Sequence, residues 1–210
     1  MRRNAGFSLI EILVVLALVG LLMGLVATGV FRFSETGRIT DAQARIEALS
    51  LLVESYRDRE GEYPPSRLPR MGVTDANRVN EGCEALAAAL RAKSYGGRRP
   101  NEGWLVNTDD DRSPMLSSAD NSNALLELCD PWDNPLVYIV HEDYAQEFTY
   151  RLTDGDFVED YRALARTNAL TGAFHNFESY QLLSAGPDGL LGTEDDLANF
   201  PLPLPGEEGD

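Results

Sequence analysis

MRRNAGFSLIEILVVLALVGLLMGLVATGVF, residues 1–31, decides how the rest of the chain is read. Arg2 and Arg3 open a short polar leader, and the run from Phe7 to Phe31 is apolar with Glu11 as its one charged residue. Ile12 to Phe31 supplies the roughly 20 positions a helix needs to cross a hydrocarbon core. Glu11 is the anomaly, because an ionisable side chain at membrane depth costs about 2.5 kcal/mol or more and marks a functional position. A secretory signal peptide has a short apolar core and a small-residue cleavage site after it. This run is too long for that, and Val26-Ala27-Thr28 is a poor site. A plain single-span anchor accounts for the length but leaves Glu11 unexplained.

The junction Gly6-Phe7-Ser8-Leu9-Ile10-Glu11 resembles the prepilin signature of type IV pilins and type II secretion pseudopilins. The resemblance implies that a prepilin peptidase cuts between Gly6 and Phe7, placing Glu11 fifth in an N-methylated mature chain. It also implies a role for Glu11 in assembly. A buried charge is tolerated when paired, and the α-amino group of Phe7 on a neighbouring subunit is the pair. That pairing would favour a helical filament and set its axial register.

The totals allow one span and one modest domain with a real core. The chain has 210 residues and a formal net charge of −16, from 18 Lys+Arg against 34 Asp+Glu. That balance argues against nucleic acid as a partner, which needs a basic face for phosphates, and suits cation binding. Cys83 and Cys129 are a candidate disulfide on the extracytoplasmic side, where such bonds persist; two free buried thiols are the alternative.

Beyond Phe31 the helical period continues with changed polarity. Ile39, Ala42, Ile46, Leu49, Val53 and Tyr56 recur at three- and four-residue spacings, one face of an amphipathic helix. One helix is expected from about Phe7 to Asp58, roughly 75 Å at 1.5 Å per residue, with Gly24 and Gly29 as weak points. Its second half should pack on the globular domain. Gly61 and Tyr63-Pro64-Pro65 stop it. A second short helix is expected over Glu81–Lys93, a long loop over 94–123, and strands near Leu136–Val140, Glu147–Leu152 and Phe177–Ser184. Residues 157–175 read as a short helix or loop. Asp109-Asp110-Asp111 has the chemistry to hold a cation but reads as a solvated acidic loop.

Three more stretches are similar to the major pseudopilins of type II secretion. They are Glu60-Gly61-Glu62-Tyr63-Pro64-Pro65, Glu81-Gly82-Cys83-Glu84-Ala85-Leu86 and Asp130-Pro131-Trp132-Asp133-Asn134-Pro135. In the last, aspartate stands where the family has glycine. Aspartate enters left-handed geometry more readily than most residues, so the turn should survive. Most of 94–123 looks like an insertion.

The stretch Ser184 to Leu197, SAGPDGLLGTEDDL, holds the best candidate metal site. Hard cations such as Ca²⁺ take six to eight oxygens, mixing carboxylates with backbone carbonyls. Glycines 186, 189 and 192 let a short loop curl to present them. The spacing is not that of an EF-hand, but it resembles the calcium loop of major pseudopilins. The resemblance carries the ligand role to Asp188, Asp195 and Asp196, with the carbonyls of Ala185 and Thr193 added. A solvated acidic turn is the alternative.

No zinc, nucleophile-elbow, phosphate-loop or dinucleotide pattern points to an enzyme, and His141 and His175 lie far apart in sequence. The resemblance implies an α+β, type IV pilin-like fold: a long N-terminal helix, half in the membrane and half amphipathic, packed on a small antiparallel sheet with a C-terminal calcium loop. The implied layout is a leader at 1–6, a transmembrane and filament-core half at 7–31, a periplasmic domain at 32–200 and a disordered tail at 201–210. The implied function is a structural subunit of a type II secretion pseudopilus in the inner membrane, driving protein export. Its partners would be copies of itself, other pseudopilins, inner-membrane assembly proteins, the prepilin peptidase and membrane lipid. Two alternatives are a type IV pilin or minor pilin for adhesion, motility or DNA uptake, and an anchored calcium-binding protein that never polymerises.

Overall fold

The structure is a computed structural model that describes residues 9–154 and 157–202, without the side chains of 24–34 and 154. The chain divides into two units, Met1–Arg38 and Ile39–Asp210. The leader, Gly6 and Phe7 lie outside the described residues, as does the tail from 203. Among the described residues, no helix is long and apolar enough to cross a membrane.

Helix α1 spans Leu9–Glu60, 52 residues, and is helical through Gly24 and Gly29. In the first unit the apolar side chains from Leu9 to Met23 are exposed on every side of the helix. In the second unit the expected stripe is buried: Ala42, Ile46, Leu49 and Val53 line the core. The helix stops as its sequence dictates. Gly61 takes φ 86° and donates its N–H to the Arg57 carbonyl at 2.8 Å, the left-handed ending that favours glycine.

Helix α2 spans Glu81–Arg91, and all eleven of its residues are buried. Gly82 is required by close approach, since a Cβ there would run into the Tyr138 carbonyl oxygen and the Tyr150 hydroxyl. Asn80, at φ 58°, precedes the helix and accepts from the Arg151 N–H at 2.8 Å.

Among the described residues seven strands follow: β1 Leu105–Val106, β2 Glu127–Leu128, β3 Val137–Val140, β4 Phe148–Asp154, β5 Phe157–Ala163, β6 Tyr180–Ser184 and β7 Leu197–Ala198. They make three antiparallel sheets, β1–β2, β3–β6–β7 and β4–β5. One core joins α1, α2 and the sheets through Leu49, Val53, Leu86, Leu90, Tyr138 and Tyr150. The architecture is α+β, a helix packed on small antiparallel sheets, as expected.

Three expectations need correction. Residues 157–163 form strand β5 instead of a helix or loop. Its residues through Asp160 are all exposed, so no buried face imposes the alternation by which a strand is recognised. Pairing supplies the order instead, and Arg151 of β4 faces Asp160 of β5 at 2.8 Å. The 94–123 segment is not a bare loop, because β1 within it pairs with β2. The last long strand begins at Tyr180, not Phe177, and the loop after it is closed by the unanticipated β7, with Ser184 opposite Leu197.

Candidate functional site

Two regions carry the expected functional residues. The first is the start of α1. Glu11 sits in the first described turn of the helix, exposed among exposed apolar side chains. An apolar surface of this kind is stable only when something covers it.

The second region begins at the Asp130 turn. One Asp130 carboxylate oxygen accepts the N–H groups of Trp132 at 2.9 Å and Asn134 at 3.0 Å. The other accepts from the Ser184 hydroxyl at 2.6 Å. Asn134 in turn accepts from the Thr153 N–H at 2.7 Å. Asp133 adopts φ 65°, so aspartate does take the left-handed place of glycine. The turn therefore ties the end of β6 to β4. The candidate metal loop starts at that tie.

Residues 185–196 connect β6 to β7. Gly186 at φ 68° leaves no room for a Cβ against the Asp195 backbone. Asp188 and Asp195 come together: the Asp188 N–H donates to Asp195 Oδ2 at 3.1 Å, and the Thr193 hydroxyl donates to Asp195 Oδ1 at 2.5 Å. The same hydroxyl lies 3.4 Å from Asp188 Oδ1. Burial raises the Asp188 carboxyl above the usual range, and the Asp195 charge adds to it.

Asp196 is turned differently. Its Oδ2 pairs with Arg166 Nη2 at 3.0 Å and accepts the Gly192 N–H at 2.8 Å. Its Oδ1 is buried without a hydrogen-bond partner. Burial pushes this carboxyl up to about 6. Ala185 is buried just past β6, and the Thr193 carbonyl accepts the Asp196 N–H at 3.4 Å. Among the described residues the three aspartates do not by themselves converge on one point. The loop fits a hard cation through two close carboxylates and one orphaned buried oxygen, with carbonyls needed to complete the set. Arg166 was not legible as a partner, because thirty residues separate it from Asp196.

The two cysteines are free thiols, which corrects the candidate disulfide. The Leu128 N–H donates to Cys83 Sγ at 3.0 Å and Cys83 donates back to the Leu128 carbonyl at 3.2 Å. Burial pushes both thiols up, so they behave as packed, inert groups. The histidines do not meet either: His141 contacts the Ser179 carbonyl at 3.2 Å, and His175 stacks on Phe200. Nor is the 109–111 acidic stretch simply solvated, since Asp111 is half-buried with both carboxylate oxygens turned away from solvent beside Glu84.

An apolar helix with a glutamate in its first turn and a small α+β domain after it are consistent with a pilin-like class of protein. Residues 1–27 match the prokaryotic N-terminal methylation motif. Within the class, the chain is similar to the type II secretion system core protein G. It is 24% identical to that protein of Escherichia coli (strain K12) over 200 residues, 95% of this chain and 93% of the relative. It is 26% identical to the Pseudomonas aeruginosa protein of the same name over 138 residues, 66% of this chain and 75% of the relative. No solved structure gives a significant match. The resemblance to major pseudopilins drawn from the motifs is borne out.

Proposed function

We propose that the chain is a structural, non-enzymatic subunit of a type II secretion pseudopilus, anchored by its N-terminal helix and assembled with copies of itself and other pseudopilins. The observation that carries this reading is the methylation motif at 1–27 joined to core-protein-G similarity over 95% of the chain. Exposed apolar side chains from Leu9 to Met23 support it, because an unpartnered helix surface of that kind calls for lipid or neighbouring helices.

In finer terms, a prepilin peptidase cuts after Gly6, and Phe7 becomes the methylated amino terminus. The helix then spans the inner membrane once, with the globular domain in the periplasm. Glu11 pairs with the amine of a neighbour in the filament, and inner-membrane assembly proteins drive subunits into it. A heterologous, non-closing contact makes such a filament instead of a ring. Calcium sits in the 185–196 loop on Asp188, Asp195 and Asp196, with the Ala185 and Thr193 carbonyls. Support comes from the paired carboxylates of Asp188 and Asp195 and the orphaned oxygen of Asp196.

The deciding experiment is the intact mass and N-terminal peptide sequence of membrane-extracted protein. A chain beginning at N-methylated Phe7 is expected. A chain beginning at Met1 in cells with an active peptidase overturns the reading. Glu11→Gln is expected to leave membrane insertion intact and abolish filaments.

A further inference from the structure

Four acidic side chains converge away from the 185–196 loop. Glu84 lies on α2, Glu127 on β2, and Asp109 and Asp111 on the segment between β1 and β2. Glu84, Asp109 and Glu127 each place a carboxylate oxygen within 4.8 Å of the others. Oxygens bound at about 2.4 Å to one Ca²⁺ lie at most about 4.8 Å apart.

An acidic cluster alone signifies little, but Glu84 adds an independent observation. It is 1% exposed, and among the described residues no amide, hydroxyl or guanidinium donor reaches either carboxylate oxygen; its hydrogen-bonding neighbour is another acid, the Asp111 carboxyl. Both Asp111 oxygens are buried beside the Glu84 carboxyl and the Asn77 backbone, and among the described residues the buried Asn107 side-chain carbonyl has no hydrogen-bond partner. Among the described residues, no arginine or lysine forms an ion pair with any of the four acids. Buried carboxylates are expected to be paired or to coordinate a metal.

The surroundings hold the acids in place. Glu127 accepts from the Thr108 N–H at 2.9 Å, the Thr108 hydroxyl at 3.0 Å and Asn80 Nδ2 at 3.1 Å. Asp109 accepts from Asn77 Nδ2 at 2.8 Å, and Asn107 Nδ2 donates to the Asp111 carbonyl at 2.8 Å. Outer partners that fix the ligands in this way are usual at metal sites. The donors are all oxygen, which selects a hard cation and disfavours zinc or copper.

We propose that Glu84, Asp109 and Glu127, with Asp111 and the Asn107 carbonyl beside them, form a calcium site separate from the C-terminal loop. Bound calcium relieves the repulsion among the acids and fastens the segment after β1 to α2 and β2. The site is independent of the loop assignment.

The test is calcium titration of the full-length chain in detergent micelles, read by native mass spectrometry. Wild type is expected to bind two ions, and Asp188→Asn/Asp195→Asn one. Adding Glu84→Gln/Glu127→Gln to that variant is expected to weaken the remaining ion at least tenfold. A loop variant that binds no calcium overturns the proposal, as does a fourfold variant that binds as the loop variant does. One ion on wild type and one on the loop variant sinks the loop assignment and leaves this site standing. Hydrogen exchange on the loop variant keeps the test decisive if the fourfold variant misfolds. Calcium is expected to slow exchange at residues 107–111 and 127–128, and unchanged exchange there overturns the proposal.

Discussion

Arg45 of α1 donates from Nη1 to the Cys129 carbonyl at 2.8 Å, one residue before the Asp130 turn. The same guanidinium pairs with Asp41 at 2.9 Å and lies 5.6 Å from the centre of the Trp104 ring. One side chain thus joins the amphipathic half of the helix to the turn that anchors the candidate metal loop. Arg45→Met keeps the apolar stem and removes the charged donor. A loss of about 1.5–3 kcal/mol in denaturant unfolding is expected, the usual range for a hydrogen bond to a charged group. An unchanged midpoint refutes this linkage.

Gly82→Ala is expected to cost about 1–3 kcal/mol or more, because the new methyl meets the Tyr138 carbonyl oxygen and the Tyr150 hydroxyl. Gly37→Ala is the control, with open space around its Cβ position in the single chain. There, alanine should be neutral or stabilising, as it is in an unobstructed helix. Equal melting temperatures for the two variants count against the packing described for α2.

Calcium is expected to raise the melting temperature of the full-length chain, and chelator to lower it. A ligand at a hundred times its Kd stabilises by about 2.7 kcal/mol. The rise should shrink in Asp188→Asn/Asp195→Asn. A response of full size in that variant removes the loop from the account.

Asp196 is expected to behave as an ion-pair partner even without metal. Asp196→Asn and Arg166→Met should each lower stability in chelator, and the double variant should lose less than the sum of the two. The basis is the 3.0 Å contact between the two side chains. Strict additivity means that the pair is not coupled.

His175 gives a pH signature. Burial lowers its pKa, so the folded state binds the proton less readily than the unfolded chain. The contribution is present above the unfolded value near 6.5 and is lost as pH falls below it. Wild type should lose stability over that interval relative to His175→Phe, which keeps a ring against Phe200. Parallel profiles for the two proteins contradict the prediction.

The pieces legible in the sequence were those governed by local rules. Gly61 stopped α1 because only its neighbours matter to a left-handed cap. Asp133 took its turn because flanking prolines and side-chain caps fix that geometry within a few residues. Ala42, Ile46, Leu49 and Val53 announced a buried stripe by spacing alone. Strand β5 was illegible for the opposite reason: its order comes from β4, and its exposed face carries no period.

The sequence by itself determined the apolar helix with Glu11 inside it, the turns, the α+β class and the family resemblance. Each of these depends on contacts within about one helical turn or on a contiguous motif. Tertiary structure alone decided which groups meet. Cys83 and Cys129 are separate buried thiols, each packed against the backbone around Leu128 and Glu127. Asp196 goes to Arg166, and Glu84 meets Asp109 and Glu127 across 25 and 43 residues of chain. Charge and spacing along a sequence state what a residue is able to bind, while burial and the partners brought by folding state what it does bind.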